Sequence, residues 1–202
     1  MKHVLSVLAL AAASALAAPA FAQSGDPTYR AIASGQAEEP PNVSFGTSLV
    51  TIEIKGNQLL VDAPFRDLAG TTTMAHIHCC TTDAFRGVAP VALPFEGFPI
   101  GVRAGDYSAA IQLGDEASYD AAFLAANGGS VRGAYATLVD AINANEAYVN
   151  IHTSAYPNGE IRGFLVAAPV PEPAEWAMLG VGLGGLLWMG RRRRALPLGL
   201  KI

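Results

Sequence analysis

Three histidines have the residue type and spacing of a metal site. His76 and His78 are separated by one residue in an apolar segment, and His152 lies in a second apolar segment further along the chain. Because alternate side chains of a β-strand share a face, His76 and His78 project together, and Asn150 and His152 do the same. If the two segments form neighbouring strands, the three imidazoles converge, which is enough for a copper or zinc site with an open position.

Four other side chains are candidates to complete this ligand set. Glu160 or Asp83 could add an oxygen ligand, and Cys79 or Cys80 could add a sulfur ligand. The two cysteines are adjacent, and the Cα atoms of adjacent residues are about 3.8 Å apart across a trans peptide, below the usual disulfide window of about 4.4–6.8 Å. Two free thiols, a vicinal disulfide and thiolate ligands beside a metal all remain open.

A role without a metal is the alternative for the same residues. Histidines on a sheet can be half-buried and hydrogen-bonded, and so hold loops in place. Glu160 and Arg162 share a strand face, so they are expected to form a local ion pair, which at a surface is worth at most about 1 kcal/mol. The sequence contains no Ser-His-Asp order, P-loop or dinucleotide fingerprint, so no enzyme is predicted.

The segments that carry these side chains belong to a series of short strands. Turn signals at Lys55 to Asn57 and at Pro157 to Gly159 favour β-hairpins, and strands at this spacing predict an antiparallel sandwich or barrel. A helical insertion interrupts the series, because residues 118–126 and 130–143 have helix stop, cap and apolar-face patterns. The strands are expected at residues 29–34, 46–54, 58–65, 74–79, 88–93, 107–113, 147–153 and 160–166.

Both ends of the chain have the pattern of export signals. Lys2 and an apolar stretch precede the small residues Ala20 and Ala22, which predicts a secretory signal peptide over residues 1–22. Near the other end, an apolar run over residues 176–190 is followed by basic residues. As a helix this run spans roughly 22 Å, less than the roughly 30 Å hydrocarbon core of a bilayer. It is therefore predicted to be a weak transmembrane segment, with the central domain outside the inner membrane.

The central domain, residues 23–168, is strongly acidic. The chain has 13 basic and 17 acidic residues, of which six and two lie outside this domain, so that 7 basic and 15 acidic residues remain and the net charge is −8. Nucleic acid is not expected as a partner, because phosphate binding needs clustered Lys and Arg. Cations, or basic patches on other macromolecules, are the expected partners.

The C-terminal part, residues 169–202, resembles the PEP-CTERM sorting signal of Gram-negative bacteria. Pro171, Glu172 and Pro173 precede the apolar run and four arginines follow it, in the order of that signal. The resemblance implies transient anchoring in the inner membrane, cleavage near the motif by an exosortase-type enzyme, and transfer to the cell surface or extracellular matrix. An ordinary anchor that is never cut is the alternative. The arginines are Arg191, Arg192, Arg193 and Arg194.

The central domain resembles the chordin-type (CHRD) domain family. Three stretches carry the match in family order: Ala33 to Pro41, Ala75 to His78, and Tyr148 to Gly163. The resemblance implies an extracellular β-sandwich module, found in bone-morphogen antagonists of animals and in many bacterial secreted proteins. The His-x-His pair with a further strand histidine also resembles copper–zinc superoxide dismutase. The expected fold is all-β, an antiparallel immunoglobulin-like or superoxide-dismutase-like sandwich with a short helical insertion, plus a C-terminal transmembrane helix.

These features predict an exported, non-enzymatic protein of the cell surface or extracellular matrix. Its sandwich is expected to bind extracellular polysaccharide or another surface protein. The alternative is a periplasmic or surface protein that binds copper or zinc, or carries out redox chemistry, through His76, His78 and His152.

Overall fold

The computed structural model describes residues 26–169 and 179–186. The chain divides into two units, of which Gly25–Val170 contains the strands, and the other comprises Met1–Ser24 and Pro171–Ile202. The predicted signal peptide, the Pro-Glu-Pro motif and the four arginines lie outside the described residues. Within the predicted transmembrane segment, residues 179–186 are helical. Across the described parts of the chain, the helices are all too short or too polar to cross a bilayer.

Residues 26–169 contain ten strands and two α-helices, apart from short 3-10 turns. In chain order they are β1 (Thr28–Ser34), β2 (Thr47–Lys55), β3 (Gln58–Asp62), β4 (Phe65–Arg66), β5 (Thr72–His78), β6 (Val91–Pro94), β7 (Ser108–Gln112), α1 (Ala121–Ala126), α2 (Val131–Asn143), β8 (Tyr148–Thr153), β9 (Ile161–Phe164) and β10 (Val166–Ala167).

The strands pair into one antiparallel sheet that curls into a half-barrel. The order along the sheet is β6-β5-β8-β9-β1-β2-β3-β7, while β10 pairs with β1 and β4 pairs with β2. The prediction of an all-β, antiparallel, sandwich-like fold with a small helical part is confirmed. The sequence did not predict that the strands join into one continuous sheet.

Alternating apolar side chains build the inner face of this sheet. In β2, Val50, Ile52 and Ile54 are buried in the core, and burial of each such side chain stabilises the fold by about 1.5–3 kcal/mol. The predicted hairpin after β2 is present, since Gly56 has a φ of 59° and Lys55 pairs with Gln58. This left-handed conformation is the one that glycine adopts readily.

Both helices pack into the apolar core, where α1 contacts β6 and α2 contacts β10. In α2, Leu138 and Ile142 are fully buried, and the side chain of Ser130 caps the helix by accepting a hydrogen bond from the Gly133 N–H. The first helix is shorter than the predicted segment 118–126. It begins later because Asp120 caps it, accepting hydrogen bonds from the first free N–H groups of the helix.

Strand β8 has both faces buried, and this property positions the site. All six of its residues are buried. Val149 and Ile151 belong to the apolar core, whereas the alternate residues Tyr148, Asn150 and His152 lie on the opposite face. That second face is polar and is covered by loops, so it forms a buried layer distinct from the core.

Candidate metal centre

Strands β5 and β8 are antiparallel neighbours, as convergence of the histidines requires. Their pairing places His76 opposite Asn150, and His78 and His152 lie in the cross-strand rows on either side of that pair. Side chains of neighbouring cross-strand pairs on one face of a sheet are close enough to contact one another. The centre of the histidine cluster therefore lies above the His76–Asn150 pair.

The three imidazole rings form a compact triangle. Their candidate ligand nitrogens lie within 4.8 Å of one another. The ring centroid of His76 is 4.8 Å from that of His152 and 5.2 Å from that of His78, and 6.0 Å separates His78 from His152. The residues are 8%, 9% and 7% exposed in chain order. The predicted convergence of these three histidines is confirmed.

Each histidine keeps one buried ring nitrogen without a hydrogen-bond partner. Nδ1 of His78 lies 2.8 Å from the Ala89 carbonyl oxygen, and Nδ1 of His152 lies 2.9 Å from that of Pro157. Because a carbonyl oxygen only accepts, each Nδ1 carries the proton and leaves Nε2 as a free lone pair. These two Nε2 atoms and Nδ1 of His76 are the unpartnered nitrogens. Histidines that bind metals typically donate their other ring N–H to a carbonyl in this way.

Burial keeps the three imidazoles neutral. Burial, together with the neighbouring His152 and His78, lowers the pKa of His76 to about 4. Burial also lowers the pKa of His78 and the pKa of His152, although the hydrogen bonds to Ala89 and Pro157 act in the opposite direction. Since a metal binds only the neutral imidazole, all three side chains are in the ligand form at neutral pH.

Arg162 on β9 ties the covering loops to this face of the sheet. Its guanidinium donates hydrogen bonds to the carbonyl oxygens of Ala37 and Gly87. It forms an ion pair with Glu39 at 3.1 Å, and its Nε lies 3.9 Å from a carboxylate oxygen of Glu38. Arg162 therefore holds both the loop around Glu38 and the loop around Gly87 over the polar layer.

Glu160, a candidate ligand, lies outside the histidine cluster. Its carboxylate accepts hydrogen bonds from the hydroxyls of Ser44 and Thr153 and from two backbone N–H groups. The expected ion pair between Glu160 and Arg162 is wrong, because Arg162 pairs with acidic residues of another loop. Glu160 precedes the first residue of β9, so the alternation rule for strands does not apply to it.

Cys79 and Cys80 are joined to each other by a disulfide across a cis peptide bond. Among the alternatives that the sequence left open, the structure therefore has the vicinal disulfide, and neither cysteine offers a thiolate. Cys79 is part of the apolar core. Within the described residues, the metal-ligand cluster that contains the three histidines includes neither cysteine, nor Glu160, nor Asp83.

Sequence reasoning assigned no role to Glu38, which lies buried beside the histidine face. Burial raises the pKa of Glu38 to about 7, although Arg162 acts to lower it. The only sequence signal was that the adjacent acids Glu38 and Glu39 lie in one of the stretches that carry the family resemblance. Their contact with Arg162 joins residues 123 and more positions apart, which no local pattern predicts.

A comparison with protein-family models matches the CHRD domain over residues 29–165. The matched range runs from the second residue of β1 past the end of β9 and contains the three histidines of the cluster. No curated protein and no solved structure matches the chain.

Proposed function

We propose, because this chain belongs to the CHRD domain family, that it is a binding domain of the cell envelope or extracellular space whose ligand is a copper or zinc ion. His76, His78 and His152 would hold the ion. When bound, the ion would supply a Lewis-acid centre with an open coordination position. The histidine cluster makes this the best supported of the functions predicted from the sequence.

The observation that carries the proposal is the set of unpartnered ring nitrogens. A buried polar atom without a partner is destabilising, so native proteins seldom keep one without a reason. Here three such atoms belong to three converging neutral imidazoles. A single bound ion would satisfy all three, whereas a purely structural role for the histidines accounts only for the two nitrogens that donate to carbonyls.

Metal analysis of the purified full-length protein tests the proposal. After incubation with copper or zinc and desalting, we expect about one equivalent of ion per chain, the stoichiometry of a single three-histidine site. Elemental analysis measures it directly. Protein that emerges metal-free from the desalting column would rule the proposal out.

A second candidate ligand is a macromolecule of the cell surface, either extracellular polysaccharide or another surface protein. The observation that favours it is a groove on the outer face of β1, β2 and β4, lined by Ile32, Leu49 and Arg66 among others. Ile32 is 77% exposed and Leu49 is 50% exposed, and apolar side chains grouped on a surface typically mark interaction sites. This role is non-enzymatic and is compatible with a metal on the other half of the sheet.

Export and exosortase-type sorting are proposed from the two ends of the chain. The support is the signal-peptide pattern of residues 1–22 and the order of the Pro-Glu-Pro motif, apolar run and arginines. Mass spectrometry of protein from Gram-negative cells that carry an exosortase should give an N-terminus at Gln23 and a C-terminus near Pro173. Uncleaved protein in the cytosolic fraction would contradict both processing steps.

A further inference from the structure

Two buried oxygen atoms beside the histidines also lack hydrogen-bond partners. They are Oδ1 of Asn150 and Oε1 of Glu38, on residues that are 3% and 8% exposed. Neither residue is a member of the histidine cluster. Two unpartnered acceptors together indicate that something outside the chain's own side chains donates to them.

Both oxygens lie against the backbone of Gly159, and we call the region between these three residues the gap. A Cβ atom at residue 159 would lie 2.7 Å from Oδ1 of Asn150 and 2.7 Å from Oε1 of Glu38, which is a steric clash. Only glycine therefore allows both oxygens to approach this point of the chain. The φ of Gly159 is 127°, a conformation that side chains rarely allow.

The gap adjoins the proposed metal centre. Asn150 is the cross-strand partner of His76, and side chains of directly opposed residues start about 4.5–5.5 Å apart at Cβ. His152 follows Asn150 on the same face of β8. Asn150 therefore places the gap beside the pair of strands that carries the three histidines.

The groups around the gap suit water better than an anion. Asn150 offers Oδ1 as an acceptor and Nδ2, 2.6 Å from the Cβ position of Gly159, as a donor. Oε1 of Glu38 is a second acceptor in the ionised carboxylate, the form that predominates above the Glu38 pKa of about 7. The nearby cation, Arg162, already donates to two carbonyl oxygens and to Glu39, so its guanidinium is not available to balance an anionic ligand.

We propose that Asn150 and Glu38 form a water subsite of the metal centre, in which the metal ion binds a water molecule at its open position and the two oxygens accept that molecule's hydrogen bonds. This inference rests on the proposed metal centre and deepens it. With this water, the metal centre would have one exchangeable ligand, as catalytic metal sites do, and would differ from a structural site in which every ligand comes from the protein. Asn150 and Glu38 act through the water and are positioning residues.

Azide binding to the copper-loaded full-length protein tests the subsite. Azide must displace the bound water, so removing an acceptor that holds the water should make displacement easier. We expect Asn150→Leu and Glu38→Leu each to bind azide at least about fivefold more tightly than the wild type, roughly the effect of one lost hydrogen bond. The charge-transfer absorption of the copper–azide complex gives the dissociation constants.

Two further variants separate hydrogen bonding from charge and folding. Glu39→Gln removes one negative charge beside Arg162 without touching the gap, and its azide affinity should stay within about twofold of wild type. Asn150→Asp keeps an acceptor at the same position, so it should not strengthen azide binding. If Asn150→Leu fails to fold, as circular dichroism would show, Glu38→Leu decides.

The possible outcomes distinguish this inference from the proposed function. Copper binding with unchanged azide affinity in Asn150→Leu and Glu38→Leu overturns the subsite and leaves the metal centre standing. Equal gains in azide affinity for Glu38→Leu and Glu39→Gln would assign the effect to charge and also overturn it. A wild-type protein that takes up no copper removes the metal centre and the subsite together.

Discussion

Replacing His76 and His78 together by alanine is expected to abolish metal retention. The double variant keeps a single imidazole of the cluster, and one histidine cannot hold copper or zinc through a desalting step. Metal content measured by elemental analysis should fall from about one equivalent to less than about a tenth of an equivalent. The change also removes the hydrogen bond from His78 to the Ala89 carbonyl oxygen and leaves a cavity, so circular dichroism must show that the variant is folded before its metal content is compared.

Two control variants make this result specific. Met74→Ala changes a half-exposed side chain on the same strand and should leave the metal content unchanged. A Cys79→Ser/Cys80→Ser variant should also retain the metal, because the cysteines are disulfide-bonded and lie outside the cluster. Retention of metal by the double histidine variant, or its loss in the serine variant, would mean that the ligand set is a different one.

The convergence of the histidines was predictable in part, because one of its two requirements is a local rule. A His-x-His spacing fixes two imidazoles on one face of any strand. The other requirement is that the strands of His76 and His152 be neighbours, which the sequence left as a condition and the pairing of β5 with β8 fulfils. Strand periodicity and turn residues were likewise sufficient for the all-β antiparallel class.

Contacts made by loops were not predictable in the same way. Glu160 belongs to a turn, so its side chain is directed by four hydrogen-bond donors and not by strand alternation. Arg162 does follow strand alternation, but its acidic partners come from a loop more than a hundred residues earlier. The bond between Cys79 and Cys80 was one of three alternatives with the same sequence signature. In each case the deciding contact is non-local or depends on backbone geometry.

The same distinction explains why the polar layer around the histidines was incompletely predicted. Asn150 was expected to share a face with His152, and it does. Its unpartnered oxygen, however, becomes informative only because Glu38 and Gly159 meet at the same gap. The hydrophobic pattern of the sequence predicts the strands and the apolar face of the sheet. The contacts on the polar face also depend on side chains from the loops that cover it, and the pattern does not predict these.

Replacing Glu160 by glutamine is expected to be strongly destabilising. The carboxylate is fully buried and accepts hydrogen bonds from the Ser44 and Thr153 hydroxyls and from the backbone N–H groups of Ala69 and Gly70. An amide presents an NH₂ group to donors that need an acceptor, so at least one buried donor is left unpaired. The free energy of unfolding at pH 7 should fall by about 3 kcal/mol. Urea unfolding followed by circular dichroism measures it.

The effect of Glu160→Gln on the free energy of unfolding should depend on pH, which provides a second test. Burial raises the pKa of Glu160, but the hydrogen bonds from Ser44, Thr153, Ala69 and Gly70 outweigh it and hold the pKa below its ordinary value of 4.5. A carboxyl whose pKa is lower in the folded state contributes stability above pH 4.5, and that contribution is lost as the pH falls through the folded value. The difference in free energy of unfolding between wild type and Glu160→Gln should therefore become smaller at acidic pH. The control Glu96→Gln replaces an exposed carboxylate and should change the free energy of unfolding by less than about 0.5 kcal/mol. An equal effect of both substitutions would show that the hydrogen bonds of the Glu160 carboxylate do not hold these loops together.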